Sequence, residues 1–381
     1  MRRFLSRVLP LLLSFGLIFN CTGCSTVLVL AGKARENSEA SSSVISESSA
    51  SSGVISTPVP TEDGNLRAFY TDVANAESVT VMVYMIGSDL ESEDGSATDD
   101  LLEMADAALS ENIHLVLQTG GTETWWNDVC TDDESERFVI ENGDMTLLQS
   151  LGSMNMTDAD TLSDFIHFSA ESYPADRYEL ILWDHGGGTM TGFGYDELYE
   201  DTSLTLSSLS TALYNGGVQF DFIGFDACLM ATAEVAYALD PYADYLIASE
   251  ESEPGEGWAY KNWLTMLAED PAIPTAELGK KLADDFLEAY IFADMPTLSV
   301  LDLRYVPELY AALESYWGSA YTALQSGSYG AFSQVRSNVR EFGDNEYDQV
   351  DLSDLATLTK QSLSLGTEDD VQAAVQNMVV Y

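Results

Sequence analysis

The stretch "LWDHGGG" (182–188) puts an imidazole where an apolar run breaks into three glycines, and "FDAC" (225–228) puts a thiol at the end of another apolar run. A thiol becomes a nucleophile near neutral pH when an imidazole stands beside it. His185 and Cys228 are therefore a candidate base and nucleophile, provided the fold brings them together. The glycines after His185 let another chain segment approach the backbone closely. The other two histidines suit the role less: His114 lies inside "NIHLVLQ" and His167 is flanked by Phe165 and Phe168, so both read as packing residues. The bland reading of Cys228 is a small buried apolar side chain, the commoner fate of a free cysteine.

Elements able to position such a pair are visible on both sides of it. Strands are predicted over 78–87, 112–121, 178–188, 220–230 and 243–251, and helices over 97–109, 158–173 and 204–215. Continuous apolar runs alternating with amphipathic helices signal a mostly parallel sheet covered by helices on both faces, an α/β fold. Ligands of such sheets bind beyond the carboxyl ends of the strands. Two adjacent parallel strands, one ending in His185 and the other in Cys228, would present both groups at that edge. From Thr275 onward the pattern turns mainly helical, over 276–292 and 306–324, with one strand over 297–303. Residues 66–275 are read as the core and 276–381 as a more helical part of the same domain. The chain ends on "NMVVY", inside an apolar segment, as a fold stopped short would also do.

The first residues are of another kind. "MRRFLSRVLPLLLSFGLIFNCTGC" has a basic start, an apolar stretch from Leu9 to Phe19, and small residues before a cysteine. That is the layout of a bacterial secretory signal over residues 1–23, too short for the roughly 20 apolar residues of a membrane span. "CTGC" is similar to a lipoprotein cleavage site, with Cys21 where leucine is usual, and would make Cys24 the acylated first residue of the mature chain. Residues 24–65 are rich in serine and read as a disordered tether, placing the protein on the outer side of a bacterial membrane. Loss of residues 1–23 removes Arg2, Arg3 and Arg7 and leaves 12 basic against 63 acidic side chains. Such a surface excludes nucleic acid and favours cationic partners. Cys130 and Cys228 alone remain beyond the lipidation site, which is no disulfide framework.

The ordered set of these stretches resembles the clostripain family of cysteine peptidases, related in fold to caspases, gingipains and legumain. The resemblance rests on His-Gly at 185–186 and "DACLMATAEVAY" (226–237). "YMIGSDLES" (84–92), "EM" (103–104), "ASEESEPGEGW" (248–258) and "YDQVDLSDLA" (347–356) support it. It implies a caspase-like fold, His185 as catalytic histidine, Cys228 as nucleophile, and the N–H groups of Gly186 and Cys228 as the oxyanion hole. It also implies that Asp226 belongs to the pocket that takes a substrate Arg or Lys; a structural carboxylate bonded to backbone amides is the rival reading. Alternation along a strand would put Asp226 on the thiol's side. Glu250 and Glu251, after the next strand, are further acidic candidates for binding substrate. The implied partners are polypeptides with basic residues, and the membrane through the N-terminal lipid.

Other readings fare less well. "HGGG" also occurs in esterases, but those need G-x-S-x-G and a histidine after the nucleophile, and this chain has neither. A non-catalytic lipoprotein that captures basic peptides would suit the tether equally, yet needs neither His185 nor Cys228. No Lys or Arg occurs between Arg177 and Lys261, so a basic-specific enzyme has no site for self-cleavage between histidine and cysteine. No cofactor is indicated. Calcium is conceivable in so acidic a chain, but "DLESEDGSATDD" (89–100) misses the EF-hand order and reads as a solvated loop.

Overall fold

Strand β1 (Val79–Ile86) is buried along its whole length, and its side chains sort by alternation into two cores. Met82, Tyr84 and Ile86 enter one, with Phe165, Leu209 and Phe225. Val81, Val83 and Met85 enter the other, with Trp183, Trp263 and Leu282. A strand needed on both faces has no polar side to show, which is why the run is continuously apolar. In this computed structural model, residues 66–199, 202–290, 296–343 and 347–381 are described. The signal, Cys24 and the tether lie outside them.

β2 is Ile113–Gly120, β3 Ser135–Glu141, β4 Asp144–Gly152, β5 Arg177–Trp183, β6 Phe220–Asp226, β7 Ala243–Ala248 and β8 Ser299–Asp302. They form an eight-stranded sheet in the order β4-β3-β2-β1-β5-β6-β7-β8. β2, β1, β5, β6 and β7 run parallel, whereas β3, β4 and β8 are attached antiparallel at the two flanks. Helices cover both faces, so the α/β reading of the sequence holds. The helix Ala159–Ser172 starts where expected, with the Asp158 side chain accepting from the Asp160 N–H. Leu206–Gly216 packs beside it under one face, and Ser96–Ala105, Tyr260–Glu269 and Thr275–Ala289 supply residues to the other. The C-terminal part is mainly helical, as predicted, with a short hairpin of β9 (Glu341–Phe342) and β10 (Gln349–Val350). The last residues lie along β8, where the Val380 N–H donates to the Val300 carbonyl at 2.8 Å.

Some expectations need correction. The β3–β4 hairpin was not anticipated, although its turn is an Asn142-Gly143 pair with φ of 53° and 84°, a strong short-range hairpin signal. The run 89–100 is not a solvated loop. It contributes two helical pieces, and the buried Glu91 carboxylate accepts from the Thr98 N–H at 2.8 Å and the Trp126 N–H at 2.7 Å. A buried acid satisfied by amides behaves as a structural bracket, and acidity alone does not expose it. His167 does not pack either, since its side chain is 68% exposed beside Glu171. His114 does, against Tyr173.

Candidate active site

The pairings of β1, β5 and β6 fix which chain segments meet at the carboxyl edge. Met85 of β1 sits beside Trp183 of β5, and Trp183 beside Asp226 of β6. The segments that leave these strands are therefore neighbours, in the order 87–89, 184–186, 227–228. They open on a cleft of about 480 Å³, lined among others by Asp89, His185, Gly186, Cys228, Ser252 and Tyr347. His185 and Cys228 share one cleft.

Gly186 makes that proximity tolerable. A Cβ at this position would lie 2.0 Å from the Cys228 carbonyl oxygen, an overlap that no side chain could relieve because the obstacle is backbone. Gly186 also forms a bridge with Phe193, made by the flanking residues: the Gly194 N–H reaches the His185 carbonyl and the Gly187 N–H the Gly192 carbonyl, both at 2.9 Å. The bridge thus leaves the N–H of Gly186 itself unused. After β6 the chain turns at once, with Leu229 at φ 66°, so Cys228 stands on a turn and not in the strand. Alternation along β6 therefore cannot place Asp226 on the thiol's side. The Glu253 N–H donates to Cys228 Sγ at 3.2 Å. Burial pushes the thiol's pKa up, this N–H draws it down, and Asp226 pushes it up again.

Asp226 is 4% exposed and does not line the cleft. Its Oδ2 accepts from the Trp258 N–H at 3.0 Å and the Tyr260 hydroxyl at 2.7 Å. Two further acids converge on it. A Cβ on Gly257 would lie 2.9 Å from both Asp100 Oδ2 and Asp226 Oδ1, so the two carboxylates approach one point. Asp100 also accepts from Trp183 Nε1 at 2.6 Å. Both carboxyl oxygens of Glu253 are shut off from solvent without a hydrogen-bond partner among the described residues. Burial, offset in part by the Tyr260 hydroxyl, pushes Asp226 up to about 7. Burial and then the Asp226 charge push Asp100 and Glu253 well above the usual carboxylate range. Glu250 and Glu251 are placed elsewhere. Glu250 accepts from the Ser299 hydroxyl at 2.5 Å, and Glu251 from the Gly343 N–H at 2.8 Å; neither lines the cleft.

The clostripain family profile matches residues 83–381. The chain belongs to the clostripain family. It is 29% identical over 217 residues to clostripain of Hathewaya histolytica, a match taking in 48% of this chain and 41% of that protein. The chain thus spans less than half of that relative's length. Two solved structures share the fold. A secreted C11 cysteine protease of Bacteroides thetaiotaomicron, held with an irreversible peptide inhibitor, superposes with a TM-score of 0.62 at 20% identity. That match covers 80% of this chain and 84% of that one. An inactive zymogen C11 protease of Parabacteroides distasonis gives 0.60 at 23% identity, over 80% and 82%.

Within this clostripain-family fold, the sequence reasoning overlooked Asp89, Asp100 and Glu253. Glu253 lay in a quoted stretch (248–258) and Asp100 closed the run 89–100, but neither was given a role, because what marks them is convergence in space. Asp89 lay in a stretch quoted for its resemblance and was given no role. The stretch 347–356, quoted likewise, supplies the cleft's rim: Tyr347 lines it, and Gln349 Nε2 donates to the Leu229 carbonyl at 3.1 Å.

Proposed function

We propose that this protein is a cysteine endopeptidase that cuts polypeptides after Arg or Lys, anchored outside the cell by a lipid on Cys24. The observation that carries the reading is the shared cleft of His185 and Cys228 at the ends of two adjacent parallel strands. His185 takes the thiol proton, and Cys228 Sγ attacks the scissile carbonyl carbon, forming the S–C bond. The carbonyl electron pair moves to the oxygen, which faces the N–H groups of Gly186 and Cys228. As the pair returns, the C–N bond breaks and His185 gives its proton to the leaving amine. Water then attacks the thioester while His185 accepts its proton. The S–C bond breaks, His185 returns the proton to the sulfur, and the acid product leaves the thiol restored.

Specificity rests on the acids beside the thiol. Asp100, Asp226 and Glu253 form a buried group with no cation among the described residues, and a guanidinium or ammonium from a substrate would complete it. Lipid attachment is supported by "CTGC" and the serine-rich stretch after it; among the described residues no helix is long and apolar enough to cross a membrane.

Cleavage of a peptide library by the wild type and by Cys228→Ala tests the reading. Cuts after Arg and Lys that vanish in the variant are expected. Cuts retained by Cys228→Ala would overturn the mechanism, and cuts after other residues would overturn the specificity.

A further inference from the structure

The geometry points to Asp89 as a positioning residue for His185, making the site an Asp-His-Cys array and not a pair. Asp89 Oδ1 lies 2.7 Å from His185 Nε2. Among the described residues this histidine is the only hydrogen-bond partner of the Asp89 side chain. The inference deepens the proposed peptidase reading and rests on it.

Three features of the fold bring Asp89 there. β1 neighbours β5 on the side away from β6, so the loops after β1, β5 and β6 line up as Asp89, His185 and Cys228. The turn carrying Asp89 is pinned from beneath: the Gly87 N–H donates to the Gly120 carbonyl at 2.8 Å and the Ser88 N–H to the Gly121 carbonyl at 3.1 Å. Ser88 itself is fully buried at φ 49°, a conformation that non-glycine residues seldom adopt. The turn is thus held in one shape, and that shape delivers the carboxylate to the imidazole.

The chemistry follows from the ring. With Nε2–H donating to Asp89, Nδ1 is the nitrogen left to take the thiol's proton. The ring is also kept from rotating about its χ angles. When that proton arrives, the imidazolium faces a carboxylate at hydrogen-bond distance and can donate to it. A merely structural carboxylate in the first turn of the short helix Ser88–Ser92 would satisfy helix amides, whereas this one is turned to the histidine.

The test uses the full chain with a peptide substrate carrying Arg at the cut site, and compares wild type, Asp89→Asn, Asp89→Glu and Cys228→Ala. Because Asp89 is half exposed, Asp89→Asn should lower kcat about a hundredfold, well short of the 10⁴ or so seen for a buried triad aspartate. KM should stay within about twofold, since the residue acts on the base and not on substrate binding. Asp89→Glu should recover most of the loss, and the urea midpoint of both variants should match the wild type. Asp89→Asn at wild-type kcat overturns the inference, as does a rise in KM at constant kcat, or equal losses in Asn and Glu that track a lowered midpoint. Cys228→Ala separates the two levels: if it is inactive while Asp89→Asn is unimpaired, only this inference fails. An active Cys228→Ala would bring down the peptidase reading itself.

Discussion

The two ends of β6 each bury aspartate, and they treat it differently. At the amino end, Asp221 accepts from Arg177, with a guanidinium–carboxylate approach of 2.7 Å, and from the Thr275 hydroxyl at 2.7 Å. The same guanidinium lies 3.0 Å from Glu179 and donates to the Ile273 carbonyl at 2.8 Å. At the carboxyl end, Asp226 has amide and hydroxyl donors, two more acids beside it and, among the described residues, no cation as a hydrogen-bond or ion-pair partner. A buried charge needs a partner, and a group that lacks one holds its proton instead. The amino end is closed only in that Arg177 supplies its cation; both Glu179 carboxyl oxygens still lack a hydrogen-bond partner among the described residues. The carboxyl end, next to the thiol, has no such cation among the described residues, and the proposed basic side chain would sit there.

Breaking the closed end should have the largest effect. Arg177→Met leaves Glu179 and Asp221 buried without their cation, and removal of one partner from such a group costs about 3–5 kcal/mol. Urea unfolding followed by circular dichroism should show that loss near pH 8. The loss should shrink at pH 5, where Glu179, which burial already raises to about 8, carries its proton. An unchanged midpoint at pH 8 would mean that the ion group contributes nothing net.

The open end should respond in the opposite sense. Asp226→Asn can still accept from Trp258 and Tyr260 through its amide oxygen, and it removes one of three crowded acids. Stability near pH 8 should therefore stay within about 1 kcal/mol of the wild type or rise. Cleavage after Arg should suffer instead, with kcat/KM down about a hundredfold, whereas raising salt from 0.05 to 0.5 M should cost about threefold or less, because only surface attraction is screened. A loss of stability with unimpaired cleavage would make Asp226 structural and remove it from specificity.

How far these ends were legible in the sequence differs too. The parallel strands and His185 with Cys228 could be read because apolar periodicity and a short motif each carry their own signal. Asp226 could be found but not oriented: the alternation rule stops where β6 stops, two residues short of the thiol. Glu253 and Asp100 are separated by a span of chain that no spacing rule bridges, and Glu250 and Glu251, closer to the motif in sequence, turned out to brace Ser299 and Gly343. What sets Asp100, Asp226 and Glu253 apart is burial, which depends on the tertiary fold. The β3–β4 hairpin carries a local signal too, in its Asn142-Gly143 turn.

The smallest expected effect is in pH dependence, and it tests the open end without a substrate. The folded pKa of Asp226 is raised to about 7 from 3.8, and those of Asp100 and Glu253 are raised as well. A carboxyl whose folded pKa is raised binds its proton more tightly in the native than in the unfolded state. Its contribution to stability is fully present below about pH 4 and is lost as pH climbs toward about 7. The wild type should therefore lose stability across that interval from this cluster, against the gain that most paired carboxylates give there. Asp226→Asn should flatten the slope by less than one proton, since the neighbours share the titration. An added arginine analogue such as benzamidine should raise the urea midpoint more at pH 8 than at pH 5, because the seat is charged only at the higher value. Equal stabilisation at both pH values, or an unaltered slope in Asp226→Asn, would mean that the three acids are not the place where a cation binds.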